Sequence, residues 1–413
     1  MNDQEKPKLN IVFVGHVDHG KSTLIGRILF DTNSLPEQKI SEVKTICEQQ
    51  GRPFEFAFLM DHMVEEREQN ITIDTAQIFF KTKSRDYVII DAPGHVEFTK
   101  NMITGASQAE AAILIVDANE GVQEQTKRHA KFLSLLGLNQ VIVVLNKMDQ
   151  IKYKEERFKE VEKNLQDFLG KIDISPSFII PISAFEGDNV TKLSDKMPWY
   201  QGKTIIDALD TFKQTKGTAE QSLRFPVQDL YKVGDKRIIV GQVASGTIRK
   251  GDEVVFSPKN TQSKIKTIEK LDQQLEEAVT GENIGLTLED PLFIDRGDIA
   301  SLANDLPKTT TKIKGNIFWM SKKPLSLNDS LTLQCATQET GITIKKITNR
   351  IDSSTLEIVA DESNELKITE IATVTIQTDN EIVIDNFNEV PELGRFTLIR
   401  DGAVVAGGII IKE

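Results

Sequence analysis

Four short groups of residues carry chemistry in this chain. Gly15, His16, Val17, Asp18, His19, Gly20, Lys21 and Ser22 spell G-x-x-x-x-G-K-S, after the apolar run LNIVFV and before the amphipathic stretch STLIGRILF, which opens on Ser22 and Thr23. Glycines at both ends let backbone N–H groups point inward at α and β phosphates, where a Cβ would obstruct the approach, and a following helix adds its positive end. The pattern predicts a phosphate cradle, with Lys21 against the β and γ phosphates and Ser22 ligating a magnesium ion that bridges them. Asp91-Ala92-Pro93-Gly94 closes the run YVIID. There Asp91 would hold a magnesium-bound water and the Gly94 N–H would bond the γ phosphate, so that loss of that phosphate releases the segment.

Asn146-Lys147-Met148-Asp149 follows VIVVL and selects the base. Asp149 would accept hydrogen bonds from guanine N1 and its 2-amino group. Adenine has no amine there, and the carboxylate left unpaired costs about 1–3 kcal/mol. Asn146 would brace the loop, Lys147 would lie along the base, and the backbone of Ser183-Ala184, with Phe185 next to it, would meet guanine O6. Finally, Arg67-Glu68-Gln69-Asn70-Ile71-Thr72 runs into ITIDTAQIFF, which opens on Ile71 and Thr72. Thr72 is placed to complete the magnesium shell in a loop that orders around the γ phosphate. Each pattern is common alone; their occurrence in this order is not. His16 and His19 read as spacing residues of the cradle, and His62 and His129 as surface or packing residues. No metal cluster is expected.

The elements that must hold these groups are visible in the hydrophobic pattern. From residue 10 to 212, apolar runs (IVFV, YVIID, AAILIVDA, VIVVLNK, SFIIPIS) alternate with helix-sized stretches, which means βαβ units and a mainly parallel sheet. Residues 213–221 are polar and read as a linker. Beyond Arg224 short strands and turns take over, with Gly246 and Gly251 as turn points, and a second β-rich block begins after NDLPKTTT. The expected division is 1–212, the linker, a β-barrel over 222–305 and a second over 312–413. A chain of 413 residues exceeds what one core supports, in keeping with two or three domains.

Composition excludes several classes. The chain is 39% hydrophobic and 27% charged, with a formal net charge of -12, which fits a globular protein and argues against broad nucleic-acid binding. Cys47 and Cys335 stand alone in sequence and suggest neither a disulfide framework nor a zinc site, hence a reducing, cytoplasmic setting. The N-terminus MNDQEKPKLN is charged and the apolar runs are strand-sized, so neither a signal peptide nor a membrane span is expected.

GHVDHGKST, EREQNIT, DAPGH and NKMD together resemble the translational GTPase superfamily that includes elongation factors Tu and 1-alpha. The resemblance spans the whole chain. It implies an α/β P-loop GTPase domain, with a mainly parallel sheet and helices on both faces, followed by two β-barrels, and GTP, GDP and Mg²⁺ as ligands. It further implies that His95 orients the attacking water between two apolar gate residues, Val17 and Ile71, in a reaction that rewards positioning and charge stabilisation. Asn70 stands where the family usually has glycine; asparagine tolerates a positive φ best among the other residues.

Several stretches, among them SAFEGDNV followed by MPWYQG, LRFPVQ, GLTLEDPLFIDRGDIAS, IFWMSKKPL and GRFTLIRDGAVVAGGII, are similar to the GTP-binding subunit of heterodimeric sulfate adenylyltransferase. That resemblance implies GTP hydrolysis driving adenylyl transfer from ATP to sulfate on a partner catalytic subunit. No S-G-G-x-D-S-like loop is present for that transfer, so the partner would supply it. Many sulfate-type members have aspartate where His19 stands. The alternative is an elongation-factor-like GTPase delivering aminoacyl-tRNA to the ribosome. Residues 222–413 hold 23 Lys plus Arg against 29 Asp plus Glu, a balance that favours a protein partner over nucleic acid. No membrane partner is expected.

Overall fold

The computed structural model describes residues 8–49, 51, 54–60, 77–91, 109–135, 137–213, 221–234, 236–270, 273–353, 355, 357–387 and 389–411. The chain divides into two compact units, Met1–Gln214 and Thr215–Glu413.

The first unit is built on strands β1 (Lys8–Gly15), β2 (Gln77–Lys81), β3 (Asp86–Asp91), β4 (Ala111–Asp117), β5 (Val141–Asn146) and β6 (Phe178–Pro181), in the order β2-β3-β1-β4-β5-β6. Every neighbouring pair is parallel except β2 with β3. Its helices are α1 (Lys21–Asp31), α2 (Glu37–Gln49), α3 (Glu124–Leu135), α4 (Glu155–Gly170) and α5 (Ile205–Leu209). The central strands AAILIVD and VIVVLN are buried at every position, as strands covered on both faces must be. Strand β1 shows the two faces. Leu9, Ile11 and Phe13 join a core with Leu24, Ile25, Ile28 and Leu29 of α1, Val43 of α2 and Leu209 of α5. Val12 and Val14 are buried on the opposite face, where α3 packs against β1 and β4.

The C-terminal ends of β1, β4, β5 and β6 lie side by side: Gly15 pairs Ile115, Asp117 pairs Asn146, and Leu145 pairs Pro181. The loops that leave these ends therefore gather along one edge of the sheet, the edge at which open parallel sheets bind ligands.

The second unit contains two antiparallel barrels of six strands. The first closes through Glu253–Ser257, Ile299–Leu302, Phe225–Val233, Lys236–Gln242, Asn283–Leu288 and Thr261–Lys270, which pairs back to Glu253–Ser257. Gly246 and Gly251 take φ of 74° and 87° in its turns. The second closes through Ser330–Cys335, Arg395–Arg400, Ala403–Ile410, Lys308–Trp319, Glu370–Ile384 and Gln338–Asp352, which pairs back to Ser330–Cys335. Each barrel encloses its own core, one around Phe225, Phe256 and Leu286, the other around Trp319, Leu333 and Val374. Between them sits a small cluster of Ile299, Val383, Val390 and Leu393. Beside it the buried Arg224 pairs with Asp385 at 2.5 Å and donates to the carbonyls of Leu223 and Asp305. Among the described residues no helix is long and apolar enough to cross a membrane.

Candidate functional site

The loop from β1 to α1 is shaped by two left-handed residues, Asp18 (φ 63°) and Gly20 (φ 90°). Gly20 is the N-cap of α1, and a Cβ there would collide with the Asn146 amide. No side chain caps this helix and its first turn holds no acidic residue. Its first-turn N–H groups therefore face the loop without a competing carboxylate, an arrangement suited to an anion. Lys21, Ser22 and Thr23 occupy that turn, half-buried; Val17 is half-buried and Asp18 exposed. One loop N–H is used internally, from His19 to the His16 carbonyl at 3.3 Å.

Two paired strand ends hold the cradle and the base-side loops together. Asn146, at the end of β5 and 2% exposed, donates from Nδ2 to the His19 carbonyl at 2.9 Å. Its Oδ1 accepts the Ala184 N–H at 2.9 Å, reaching the loop after β6. Asp117, at the end of β4 and equally buried, donates its N–H to His19 Nδ1 at 3.2 Å. Its carboxylate accepts from Asn119 N–H and lies 2.8 Å from Lys147 Nζ. Lys147 itself sits at φ 63°, so the chain turns sharply after β5 and Met148 N–H bonds the Ile182 carbonyl. One residue pair thus fixes the cradle, the Asn146–Asp149 turn and the Ser183–Phe185 loop. In that last loop Ser183 N–H bonds the Asp188 carbonyl, Ala184 is buried, and the Phe185 side chain is 46% exposed.

His19 is fully buried, which corrects its reading as a spacing residue. The Asp117 N–H donates to its Nδ1 at 3.2 Å, the Ile115 carbonyl lies 3.4 Å from the same nitrogen, and Nε2 lies 3.2 Å from the Glu120 carboxylate. Burial pushes its pKa down, and the Glu120 contact offsets this only in part. His16 meets Gln125 through Nδ1 at 2.7 Å and packs edge-on against His19, the ring centroids 5.0 Å apart. His16, His19 and Glu120 place ligand atoms within 4.8 Å of one another. The same ring atoms are already engaged, Nε2 of His19 with Glu120 and Nδ1 of His16 with Gln125. His129 lies on α3, half-buried.

The structure thus brings together Gly15 to Thr23, Asn146, Lys147, Asp149, Ser183, Ala184 and Phe185, with Asp149 half-buried in the turn after β5. Asp91 ends β3, and its side chain is not described. Asn70, Ile71, Thr72, Gly94, His95 and His62 lie outside the described residues. Asp117 and Glu120 were not singled out from sequence. Asp117 had a legible signal: it ends the all-apolar run AAILIV as Asn146 ends VIVVL.

An uncapped helix start, a left-handed glycine before it and a base-side loop tied to the same strand ends define a nucleotide-binding α/β unit of the P-loop class. Family comparison agrees and goes further. Residues 6–215 match the elongation factor Tu GTP binding domain, 236–300 match elongation factor Tu domain 2, and 312–411 match the GTP-eEF1A C-terminal domain-like family. The chain is 41% identical over 422 aligned residues to an elongation factor 1-alpha of Thermococcus sibiricus, covering 99% of this chain and 98% of that one. It is 40% identical, with the same coverage, to the elongation factor 1-alpha of Pyrococcus furiosus. A solved structure of sup35 complexed with GDP matches over 98% of this chain and 94% of that one, at 24% identity and a TM-score of 0.46. The chain belongs to the elongation factor Tu/1-alpha family of translational GTPases; it binds GTP and is a GTP hydrolase by family.

This corrects the closer assignment made from sequence. The relatives at 40–41% identity over the full length are elongation factors 1-alpha, not a sulfate adenylyltransferase subunit, and the catalytic adenylyltransferase partner falls with that assignment. Stretches such as LRFPVQ and GRFTLIRDGAVVAGGII lie largely in barrel strands, where packing requirements, not a partner, can account for the residue pattern. His19 was the better guide: an aspartate there would set a carboxylate against Glu120. The acidic balance of the barrels misled as well, because net charge does not locate a patch.

Proposed function

We propose that this chain is an elongation factor of the 1-alpha type, which in its GTP form carries aminoacyl-tRNA to the ribosome in the cytoplasm and releases it after hydrolysis. The observation that supports this best is identity of 40–41% to elongation factors 1-alpha across 99% of the chain, both barrels included. In this reading the cradle from Gly15 to Ser22 holds the phosphates, with Lys21 as the point charge on the β and γ groups. Asp149 accepts from guanine, Lys147 lies along the base, and the Ser183–Phe185 backbone faces O6. Ser22, Thr72 and Asp91 are the residues that would hold magnesium, which when bound offsets charge on the β and γ oxygens. Gly94 senses the γ phosphate, and His95, between Val17 and Ile71, positions the water. None of these roles asks a side chain to form a covalent intermediate.

The test is twofold. Ribosomes should raise GTP turnover, and the GTP form, not the GDP form, should protect the ester of charged tRNA from spontaneous hydrolysis, with protection falling steeply as salt rises. Absence of both effects refutes the proposal.

A further inference from the structure

Arg27 lies in the second turn of α1, beyond the phosphate cradle, and none of the motifs includes it. Its Nη1 donates to the Phe185 carbonyl at 3.3 Å, across 158 residues of sequence. Its Nε lies 2.9 Å from Asp31 Oδ1, and its guanidinium stacks on Phe56, 4.8 Å from the ring centroid. Nε is buried and makes no aligned hydrogen bond, so Asp31 fixes the group by charge and position. The other Asp31 oxygen accepts from Thr191 Oγ1 at 3.1 Å, at the far end of the same loop.

The loop side is shaped to receive this group. Gly187 stands at φ 87°, and a Cβ there would run into the Arg27 guanidinium. On its other flank Asp188 accepts from Tyr153 at 2.9 Å and from Ser194 at 2.6 Å. Tyr153 in turn is tied through its N–H to the Met148 carbonyl within the base-selecting turn. The segment from Ser183 to Asp188 is thus clamped between α1 on one side and the Asn146–Asp149 turn on the other. The clamp on the α1 side is Arg27.

We propose that Arg27 is a positioning residue for guanine recognition: by holding the Phe185 carbonyl it sets the peptide that follows Ala184, and so the placement of the O6-facing backbone. The inference rests on the base-pocket reading given under Proposed function. Its consequence is specific. Loss of Arg27 removes a constraint that matters to a guanine and not to an adenine, which the loop does not recognise. A guanidinium serves here because its planar fork reaches a carbonyl and a carboxylate at once; lysine offers one point charge.

The experiment uses the full chain and measures dissociation constants for GDP and ADP, with GDP release rates, in the wild type, Arg27→Ala, Arg27→Lys, Gly187→Ala and Asp149→Asn. Arg27→Ala is expected to weaken GDP about tenfold, the loss of roughly one charge-assisted hydrogen bond, and to leave ADP within about twofold, so that base preference narrows. Arg27→Lys should fall between Arg27→Ala and the wild type. Gly187→Ala displaces the guanidinium instead of deleting it, should shift GDP in the same direction, and carries the test should Arg27→Ala fail to fold. Equal weakening of GDP and ADP, or unchanged GDP binding, overturns the inference, because a merely structural role moves both nucleotides together. If Asp149→Asn shifts preference toward xanthine nucleotide while Arg27→Ala leaves the GDP to ADP ratio alone, only the Arg27 role is lost. If Asp149→Asn leaves preference unchanged, the base pocket itself is misassigned and the inference falls with it.

Discussion

Asn146 in the first unit and Glu370 in the second are both buried polar side chains, 2% and 8% exposed, and they are satisfied in opposite ways. Glu370 takes a bidentate pair from Arg350 at 2.7 and 2.8 Å and accepts the Lys367 N–H at 2.6 Å, and Arg350 also reaches Ser363. Every partner lies within one barrel. Asn146 instead spends both ends of its amide on the backbone of other loops, the His19 carbonyl and the Ala184 N–H. A buried ion pair closed on itself reports only on the stability of its own barrel. A buried amide that spans two loops at a sheet edge transmits to whatever those loops hold.

Breaking each in turn separates the two roles. Glu370→Ala strands Arg350 in the barrel and should lower unfolding free energy by about 3–5 kcal/mol, as read by urea denaturation, while leaving the GDP dissociation constant within about twofold. A large loss of GDP affinity would show that the barrel pair is not self-contained. Asn146→Ala leaves a carbonyl and an N–H without their side-chain partner and should cost about 2–3 kcal/mol of stability. Its larger mark is on GDP affinity, expected to fall about a hundredfold because the cradle and the base-side loop lose their common tie. Asp117→Asn keeps an acceptor for the Asn119 N–H but removes the charge facing Lys147. About 1–2 kcal/mol of stability is expected to go with it, together with a weakening of GDP of roughly tenfold in calorimetric titration. Unchanged GDP binding in either variant would dissolve the distinction between the two units.

How legible these features were in the sequence depended on their range. The strands VIVVLN and AAILIVD announce themselves because burial on both faces demands an unbroken apolar run, and the cradle because its backbone conformation demands glycine at position 20. Asn146 and Asp149 are legible through spacing. The partnership of Asp117 with Lys147, or of Arg27 with Phe185, is not: each depends on which elements neighbour one another, 30 and 158 residues apart. Barrel closure is equally non-local, since Glu253–Ser257 meets Thr261–Lys270 across a short turn but must also find the distant Ile299–Leu302. The family-level reading survived and the member-level reading did not, because barrel residues such as Phe256 and Trp319 are held by packing. Packing constrains the fold; it leaves the partner unnamed.

All five histidines belong to the first unit, at positions 16, 19, 62, 95 and 129, which gives the comparison its gentlest test. Burial, reinforced by the Lys21 charge and the neighbouring His16, Arg128 and His19, pushes the His129 pKa from 6.5 down to about 4. The His19 pKa is lowered in the same direction, mainly by burial. A base whose folded pKa lies below its unfolded value binds fewer protons in the folded state. Its contribution is therefore complete above pH 6.5 and is lost as pH falls from 6.5 toward 4. His129→Gln should remove that dependence, so that between pH 7.5 and pH 4.5 the variant loses on the order of 1–3 kcal/mol less stability than the wild type. The difference should appear in the unfolding of the first unit alone, since the barrels carry no imidazole. Identical pH slopes in the two proteins would mean that the ring is solvated in the folded state and that Lys21 is not felt there.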